Sequence, residues 1–349
     1  MTHSSKRKKY QFCIFEQNEE TRNSAATKAV LDCNSVFSEA GYTDYTVTFN
    51  NNSRRGAAFY LAAFREIVKL LLGVKRGSLI GVQYPILNKV FKYFIFMGRA
   101  KGIRFFAVIH DIESLRLGAK DAGAVKTEAC NFNHYDALIV HNDSMKQWLR
   151  DQGVTIPLVS LKVFDYLAPE RTAPAKAPHV PSRIVYAGNL SKSTFVYKLP
   201  QNGRWKFNLY GPNYLEGKSS GENVVWKGVY PPDEIAQRLE GDFGLIWDGT
   251  ETDRCDEIMG NYLRYNNPHK FSLYLAAGLP VIAPAGSAIG KLISEHQIGI
   301  LVSSLAELES LSVSQEQYAE FAANCRALGT RVRSGHFLKE ALQQIESIL

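Results

Sequence analysis

"LAPERTAPAKAPHVPSR", residues 167–183, holds four prolines, several alanines and almost no hydrophobic periodicity. The patterns on either side of it are regular, and they are of the same kind. The stretch therefore reads as a linker between two similar domains.

Upstream, short apolar runs recur at 10–16 (YQFCIFE), 45–49 (YTVTF), 78–84 (SLIGVQY), 103–110 (IRFFAVIH) and 136–141 (DALIVH). Between them lie segments such as SAATKAVLDCNSVFSEAG (24–41) and GAAFYLAAFREIVKLLLG (56–73), with apolar residues at helical spacing. Downstream the alternation restarts with RIVYAG (183–188), WKFNLYG (205–211), NVVWKG (223–228), FGLIWDG (243–249), PVIAP (280–284) and IGILV (298–302). Strand alternating with helix implies an α/β fold with a parallel, doubly wound sheet. The expected layout is one Rossmann-like domain over 1–168, a linker over 169–182 and a second Rossmann-like domain over 183–330. A C-terminal helix, 331–349, packs back toward the first domain, with breaks expected near Gly329 and Gly335. A chain of 349 residues suits two such cores.

With 45% hydrophobic and 21% charged residues, the composition is that of an ordinary globular protein. The five cysteines are odd in number and widely separated, which suggests neither a disulfide framework nor a paired-cysteine metal site and fits a reducing, cytoplasmic setting. No secretory signal is visible, and no run approaches the roughly 18 apolar residues of a membrane span. The net charge of +7 belongs wholly to the first half, where residues 1–170 hold 23 Lys and Arg against 16 Asp and Glu. The excess concentrates in SKRKK (5–9) and in LNKVFKYFIFMGRAKGIRFF (87–106), where basic and aromatic residues interleave. Such a segment suits an anionic membrane surface, as at the inner face of a plasma membrane; it equally suits a packed helix with a solvated basic rim. Nucleic acid is not expected as a partner, because no recognised motif accompanies the charge.

A doubly wound sheet places ligands beyond the carboxyl ends of its strands, so the residues following each strand matter most. HDIESLR (110–116) supplies a His, two carboxylates and an Arg, enough for a general base, a group that orients it and a cation. It also fits a capped loop, with Asp111 or Ser114 capping the next helix and Arg116 paired to a carboxylate. YAGNLSKSTF (186–195) offers backbone N–H groups and a mobile cation suited to a diphosphate. In YGPN (210–213), Tyr210 either stacks on a base or fills the core. NNPHKFSLYLAAGLPVIAP (266–284) opens as a helix start, with Asn able to cap and Pro in the first turn. Lys270 then sits at the positive end of the helix dipole, which favours an anion bound beside it. No Asp-x-Asp pair, P-loop, GxGxxG fingerprint or metal-ligand spacing of histidines occurs, so no metal cofactor is expected.

Taken in order, VQYP (82–85), VIHDIESLR (108–116), YAGNLSKS (186–193), LYGPN (209–213), FGLIWDG (243–249) and YLRYNNPHKFSLYLAAGLPVI (262–282) resemble bacterial glycosyltransferases of the GT-B fold. The resemblance is to the group containing galactofuranosyltransferases of surface polysaccharides and glucosyltransferases acting on serine-rich adhesins. It implies a UDP-sugar co-substrate held on the second domain by Gly188, Asn189, Lys192, Tyr210, Asp248, Asn266, Asn267 and Lys270. It also implies a glycan acceptor, lipid-linked or protein-linked, approached from the first domain. There the loop NEETRNSAATK (18–28) would border the acceptor, with Thr27 near a helix start, and Tyr84, His110 and Arg116 would place substrate. Many retaining GT-B enzymes carry two glutamates where this chain has Tyr265 and Leu273, so an inverting displacement is expected, with Asp111 as base and Glu113 as its rival. A nucleotide-sugar epimerase and a non-catalytic, transferase-like subunit are the alternatives. Homo-oligomerisation is compatible with the group.

Overall fold

The computed structural model describes residues 7–17, 25–50, 57–86, 88–118, 121–171, 179–200, 203–217 and 222–349. Most of the loop NEETRNSAATK, part of SKRKK and the centre of the linker lie outside the described residues. The chain forms two units: Met1–Lys162 together with Phe337–Leu349, and Val163–His336.

The first unit is built on strands β1 (Lys9–Gln17), β2 (Thr43–Asn50), β3 (Leu79–Tyr84), β4 (Arg104–Ile109), β5 (Ala137–Val140) and β6 (Leu158–Ser160). They form one sheet in the order β2-β1-β3-β4-β5-β6, all parallel. Every residue of β3 is buried, as is all of β4 except Arg104, because helices cover both faces of a parallel sheet. That double burial is why these strands read as continuous apolar runs rather than as alternation. Stacked and tilted rings of Phe12, Phe91 and Phe94 fill the core on one face. The helix His336–Ile348 completes this unit, burying Phe337, Leu338, Ala341, Leu342 and Ile345. Ion pairs tie it down, Glu346 with Lys9 at 2.9 Å and Lys339 with Glu39 at 2.6 Å.

The second unit holds β7 (Arg183–Ala187), β8 (Lys206–Tyr210), β9 (Val224–Trp226), β10 (Phe243–Leu245), β11 (Val281–Pro284) and β12 (Gly299–Val302). Their order is β12-β11-β10-β7-β8-β9, again all parallel. The two sheets therefore reverse direction at different places, between β1 and β3 in one and between β7 and β10 in the other. At such a switch point neighbouring crossovers leave on opposite faces and open a crevice at the carboxyl edge.

Two expectations need correcting. Gly329 does not break the terminal helix: it lies within the helix Gln315–Arg333, where a Cβ would meet the Leu275 carbonyl oxygen at 2.2 Å. It is the point of close approach to the helix His269–Ala276. The break falls at Gly335, whose φ of +71° only glycine adopts readily, and the last helix starts at His336 rather than 331. The short β6 was not anticipated.

Candidate functional site

In the second unit, β7 and β10 pair only through Ile184 with Phe243 and Val185 with Gly244, then separate. Tyr274 fills the opening. Its hydroxyl accepts from the Ala187 N–H at 2.9 Å and donates to the Leu245 carbonyl at 3.2 Å, replacing the ladder bonds the strands no longer make. Gly244 makes this fit, because a Cβ there would meet the Tyr274 ring at 2.3 Å.

One turn earlier on the same helix stands Lys270. Its ammonium donates to Asp248 Oδ1 at 2.7 Å, to the Tyr186 hydroxyl at 3.0 Å and to the Trp247 carbonyl at 3.2 Å, three acceptors for three protons. Tyr186 in turn donates to Ser193 Oγ at 2.5 Å. Burial by itself presses the Lys270 pKa down; the Asp248 carboxylate and the surrounding tyrosine hydroxyls overrule it and hold the ammonium above its ordinary value. Burial likewise raises Tyr186, so its phenol stays neutral. A charged lysine is thus locked at the switch point. The anion that answers it at the helix mouth is, in this structure, the protein's own Asp248. Pro268 is the N-cap residue and no side chain caps the helix, so neither Asn266 nor Asn267 serves as the expected cap. Asn267 is buried, and Asn266 has a buried Oδ1 without a hydrogen-bond partner, an acceptor that a ligand hydroxyl would satisfy.

The turn after β7 lies beside this network. Gly188 N–H donates to the Tyr210 carbonyl at 3.0 Å, and Gly211, at φ +129°, comes so near that a Cβ would meet Gly188 O at 1.9 Å. Asn189 Oδ1 accepts from Ser191 N–H and Oγ and from Asn213 Nδ2, which fixes the turn and leaves Lys192 solvent-exposed on it. Tyr210 fills the core: it is 1% exposed, donates to the Arg238 carbonyl at 3.2 Å and accepts from Glu240 N–H at 2.9 Å. Its ring therefore does not stack on a base in this structure, and burial pushes its pKa up to about 12. Further along the edge, a cavity of about 190 Å³ at the ends of β11 and β12 is lined by Arg254, Arg264 and Ser287 among others.

The first unit presents a different carboxyl edge. His110 follows β4, with Nε2 2.7 Å from Gln83 Oε1. Gln83 Nε2 donates to Asn34 Oδ1, which also accepts from Gln11, so buried polar side chains run from mid-sheet to the edge. Burial lowers the His110 pKa to about 4, leaving a neutral imidazole at neutral pH. Asp111 is about one-third exposed, its Oδ2 3.5 Å from Arg116 Nε. Glu113 is exposed. The capping reading of this loop needs correction: the N-cap of the helix Glu113–Arg116 is Ile112, and Glu128 binds the backbone N–H groups of Glu113 and Ser114 at 3.1 and 2.8 Å. Glu128 also accepts from the Tyr84 hydroxyl at 2.5 Å, and Tyr84 is buried against Phe132. Tyr84 therefore braces the loop from below. Thr27 lies in the first turn of the helix Ala25–Glu39 and is buried.

Sequence reasoning missed Tyr186, Ser193, Tyr274, Glu128 and the Gln11–Asn34–Gln83 series. Polar residues inside otherwise apolar strands, Gln11 in QFCIF and Gln83 in LIGVQY, were the available signal.

Two doubly wound units of these strand orders, with a charged, anchored lysine at the switch point of the second, have the architecture of GT-B glycosyltransferases. Solved structures agree in fold: a trehalose-6-phosphate synthase superposes with a TM-score of 0.62 at 12% identity, covering 97% of this chain and 99% of that one. A sucrose-phosphate synthase from Thermosynechococcus elongatus gives 0.56 at 13%, covering 97% and 98%. The N-terminal and C-terminal domains described as Glucosyltransferase 3-like match residues 11–163 and 184–345, and the chain belongs to that family. It is 30% identical over 285 residues to the beta-1,6-galactofuranosyltransferase WbbI of Escherichia coli (strain K12), covering 80% of this chain and 82% of that protein. To glucosyltransferase 3 of Streptococcus gordonii it is 26% identical over 290 residues, with the same coverage. The chain is accordingly a glycosyltransferase that moves a hexosyl group from a sugar donor to a glycan acceptor.

Proposed function

We propose that the donor is a UDP-hexose, glucose or galactose in pyranose or furanose form, and that transfer proceeds with inversion and without a metal ion. The observation that carries this reading is the Lys270–Asp248–Tyr186 network at the β7/β10 switch point. It fixes an ammonium, balanced by the Asp248 carboxylate, in a low-dielectric crevice beside the turn where leaving-group charge develops on the diphosphate. Lys192, exposed on the turn after β7, makes the direct phosphate contact; Lys270, its protons already engaged, orients Asp248 toward donor hydroxyls. Asn266 Oδ1 accepts a ribose or sugar hydroxyl. Tyr265 and Leu273 stand where a retaining carboxylate pair would be, which supports inversion.

The acceptor oxygen forms its bond to the anomeric carbon while the bond to the phosphate oxygen breaks, the electron pair leaving on UDP. Asp111 takes the acceptor proton. Its exposure, and a partner in Arg116 that leaves it accessible, suit it to that role better than the solvated Glu113. Relatives named a galactofuranosyltransferase and a glucosyltransferase support galactofuranose or glucose as the hexose; a lipid-linked glycan acceptor would bring this chemistry to a membrane face.

Incubation with UDP-glucose, UDP-galactopyranose and UDP-galactofuranose, with and without a glycan acceptor and EDTA, tests the reading by NMR of the product. Expected is acceptor-dependent product with the anomeric configuration opposite to the donor's, undiminished by EDTA. Retention would remove the direct displacement, loss in EDTA the metal-free step, and conversion of donor alone would point to epimerisation.

A further inference from the structure

The helices Ala57–Gly73 and Asn88–Ala100 each bury one face in the first unit's core and leave the other apolar as well. Leu61, Phe64 and Leu72 on the first are 70%, 44% and 78% exposed; Tyr93, Phe96 and Met97 on the second are 61%, 74% and 41% exposed. The spacing 61, 64, 72 and 93, 96, 97 sets each trio along one side of its helix. The helices are neighbours. Gly98 lies against Leu71 and Phe105, and Lys101 Nζ donates to the Leu71 carbonyl at 2.7 Å, so their carboxyl ends meet. Six large apolar side chains on adjoining helices form a patch of a kind that usually marks an interaction surface.

Charge surrounds it with one sign. Of the acidic residues only Glu66 falls in either helix, and it is paired with Lys69 at 2.8 Å and Arg65 at 3.1 Å. Where the two helices end, Arg76, Arg99 and Arg104 line a groove of about 400 Å³. Asp136 answers them, held by Arg104 at 2.8 Å, by Arg99 at 3.3 Å and by the Phe105 N–H at 2.8 Å. Arg7 adds a fourth guanidinium, its Nε donating to the Gly77 carbonyl at 2.9 Å, and burial together with Arg104 lowers its pKa. The groove therefore keeps an excess of positive charge beside exposed aromatic and aliphatic side chains.

We propose that this face of the first unit docks on an anionic phospholipid bilayer, its apolar side chains entering the headgroup boundary and the arginine groove receiving a lipid phosphate. Aliphatic and aromatic groups inside a cationic ring match acyl chains beneath negative headgroups. A second copy of the chain fits less well, since apposing two such faces brings like charges together. Among the described residues no helix is long and apolar enough to cross a membrane, so docking would be peripheral. The inference rests on these helices and not on the transferase reading.

Co-sedimentation of the full chain with phosphatidylglycerol/phosphatidylcholine vesicles and with phosphatidylcholine vesicles tests it, without nucleotide, at low and high salt. The protein is expected to pellet with the anionic vesicles only, and less so at high salt. Leu72→Ser with Phe96→Ser should lower the partition at least tenfold, and Arg76→Gln about fivefold. These side chains are exposed, so the far-UV circular dichroism should not change. Equal pelleting with neutral vesicles, none with anionic ones, or indifference to the substitutions would overturn the proposal. So would a lipid-free dimer that Leu72→Ser with Phe96→Ser converts to monomer, which would give the face to a second copy. Because no donor is present, failure here leaves the transferase reading intact.

Discussion

At the edge between β7 and β10 a lysine, an aspartate, two tyrosines and a serine satisfy one another almost completely, whereas at the edge after β4 the proposed base, Asp111, lies 3.5 Å from Arg116 and is about one-third exposed. The buried cluster is costly to disturb, because removing one partner leaves a charge in low dielectric. The exposed one can change protonation and partners with little structural consequence. The difference suits a binding site that must be present before substrate arrives and a base that must give and take a proton.

The widest gap between the two edges should appear in turnover. Asp111→Asn should lower kcat by about 10²–10⁴ while leaving UDP affinity and the melting temperature near wild type; activity within a few-fold of wild type would transfer the role to Glu113. In stability the order reverses. Lys270→Met should cost about 3 kcal/mol, seen in denaturant melts, because Asp248 is then buried without its cation. Pairing it with Asp248→Asn should restore much of that, and failure to do so would mean the network is not the anchor described.

A pH titration separates the edges next. His110 has a folded pKa lowered to about 4, so the unfolded chain binds more protons between its ordinary value and that point. Its contribution, on the order of 2 kcal/mol, is present at neutral pH and is lost as pH falls from about 6.5 toward 4. His110→Gln should flatten that slope, and an unchanged profile would place the acid sensitivity elsewhere. Lys192→Ala should weaken UDP binding about tenfold by calorimetry, with Arg264→Ala near neutral. The opposite pattern would move the diphosphate past β10, to the cavity at β11 and β12. Smallest is Tyr274→Phe, expected to cost about 1 kcal/mol by unpairing the Ala187 N–H.

The fold was legible because parallel strands buried on both faces leave uninterrupted apolar runs, and because proline clusters only between the two domains. IRFFAVI and LIGVQY could hardly have been anything else. The strand orders were not legible, since pairing depends on crossover direction and not on local pattern. In the candidate site, HDIESLR and NNPHK stood out because charge directly after an apolar run is conspicuous. Tyr186 and Tyr274 did not, because an aromatic in a strand or helix looks the same whether its hydroxyl is idle or bridges two strands. Tyr210 shows the reverse, an aromatic beside a glycine turn whose hydroxyl serves the backbone. Glu128 was invisible for another reason: it caps a helix from a distant position in the chain, where no capping motif exists to be read.

The central claim is that the second unit's switch point holds UDP without a metal, and melting curves with UDP, GDP, ADP and CMP, each with Mg²⁺ and with EDTA, test it most directly. A ligand bound only by the folded state raises the melting temperature. The account predicts a rise with UDP alone, equal in EDTA and reduced in Lys192→Ala. A rise that requires Mg²⁺, a preference for another nucleotide, or no shift with any of them would contradict it.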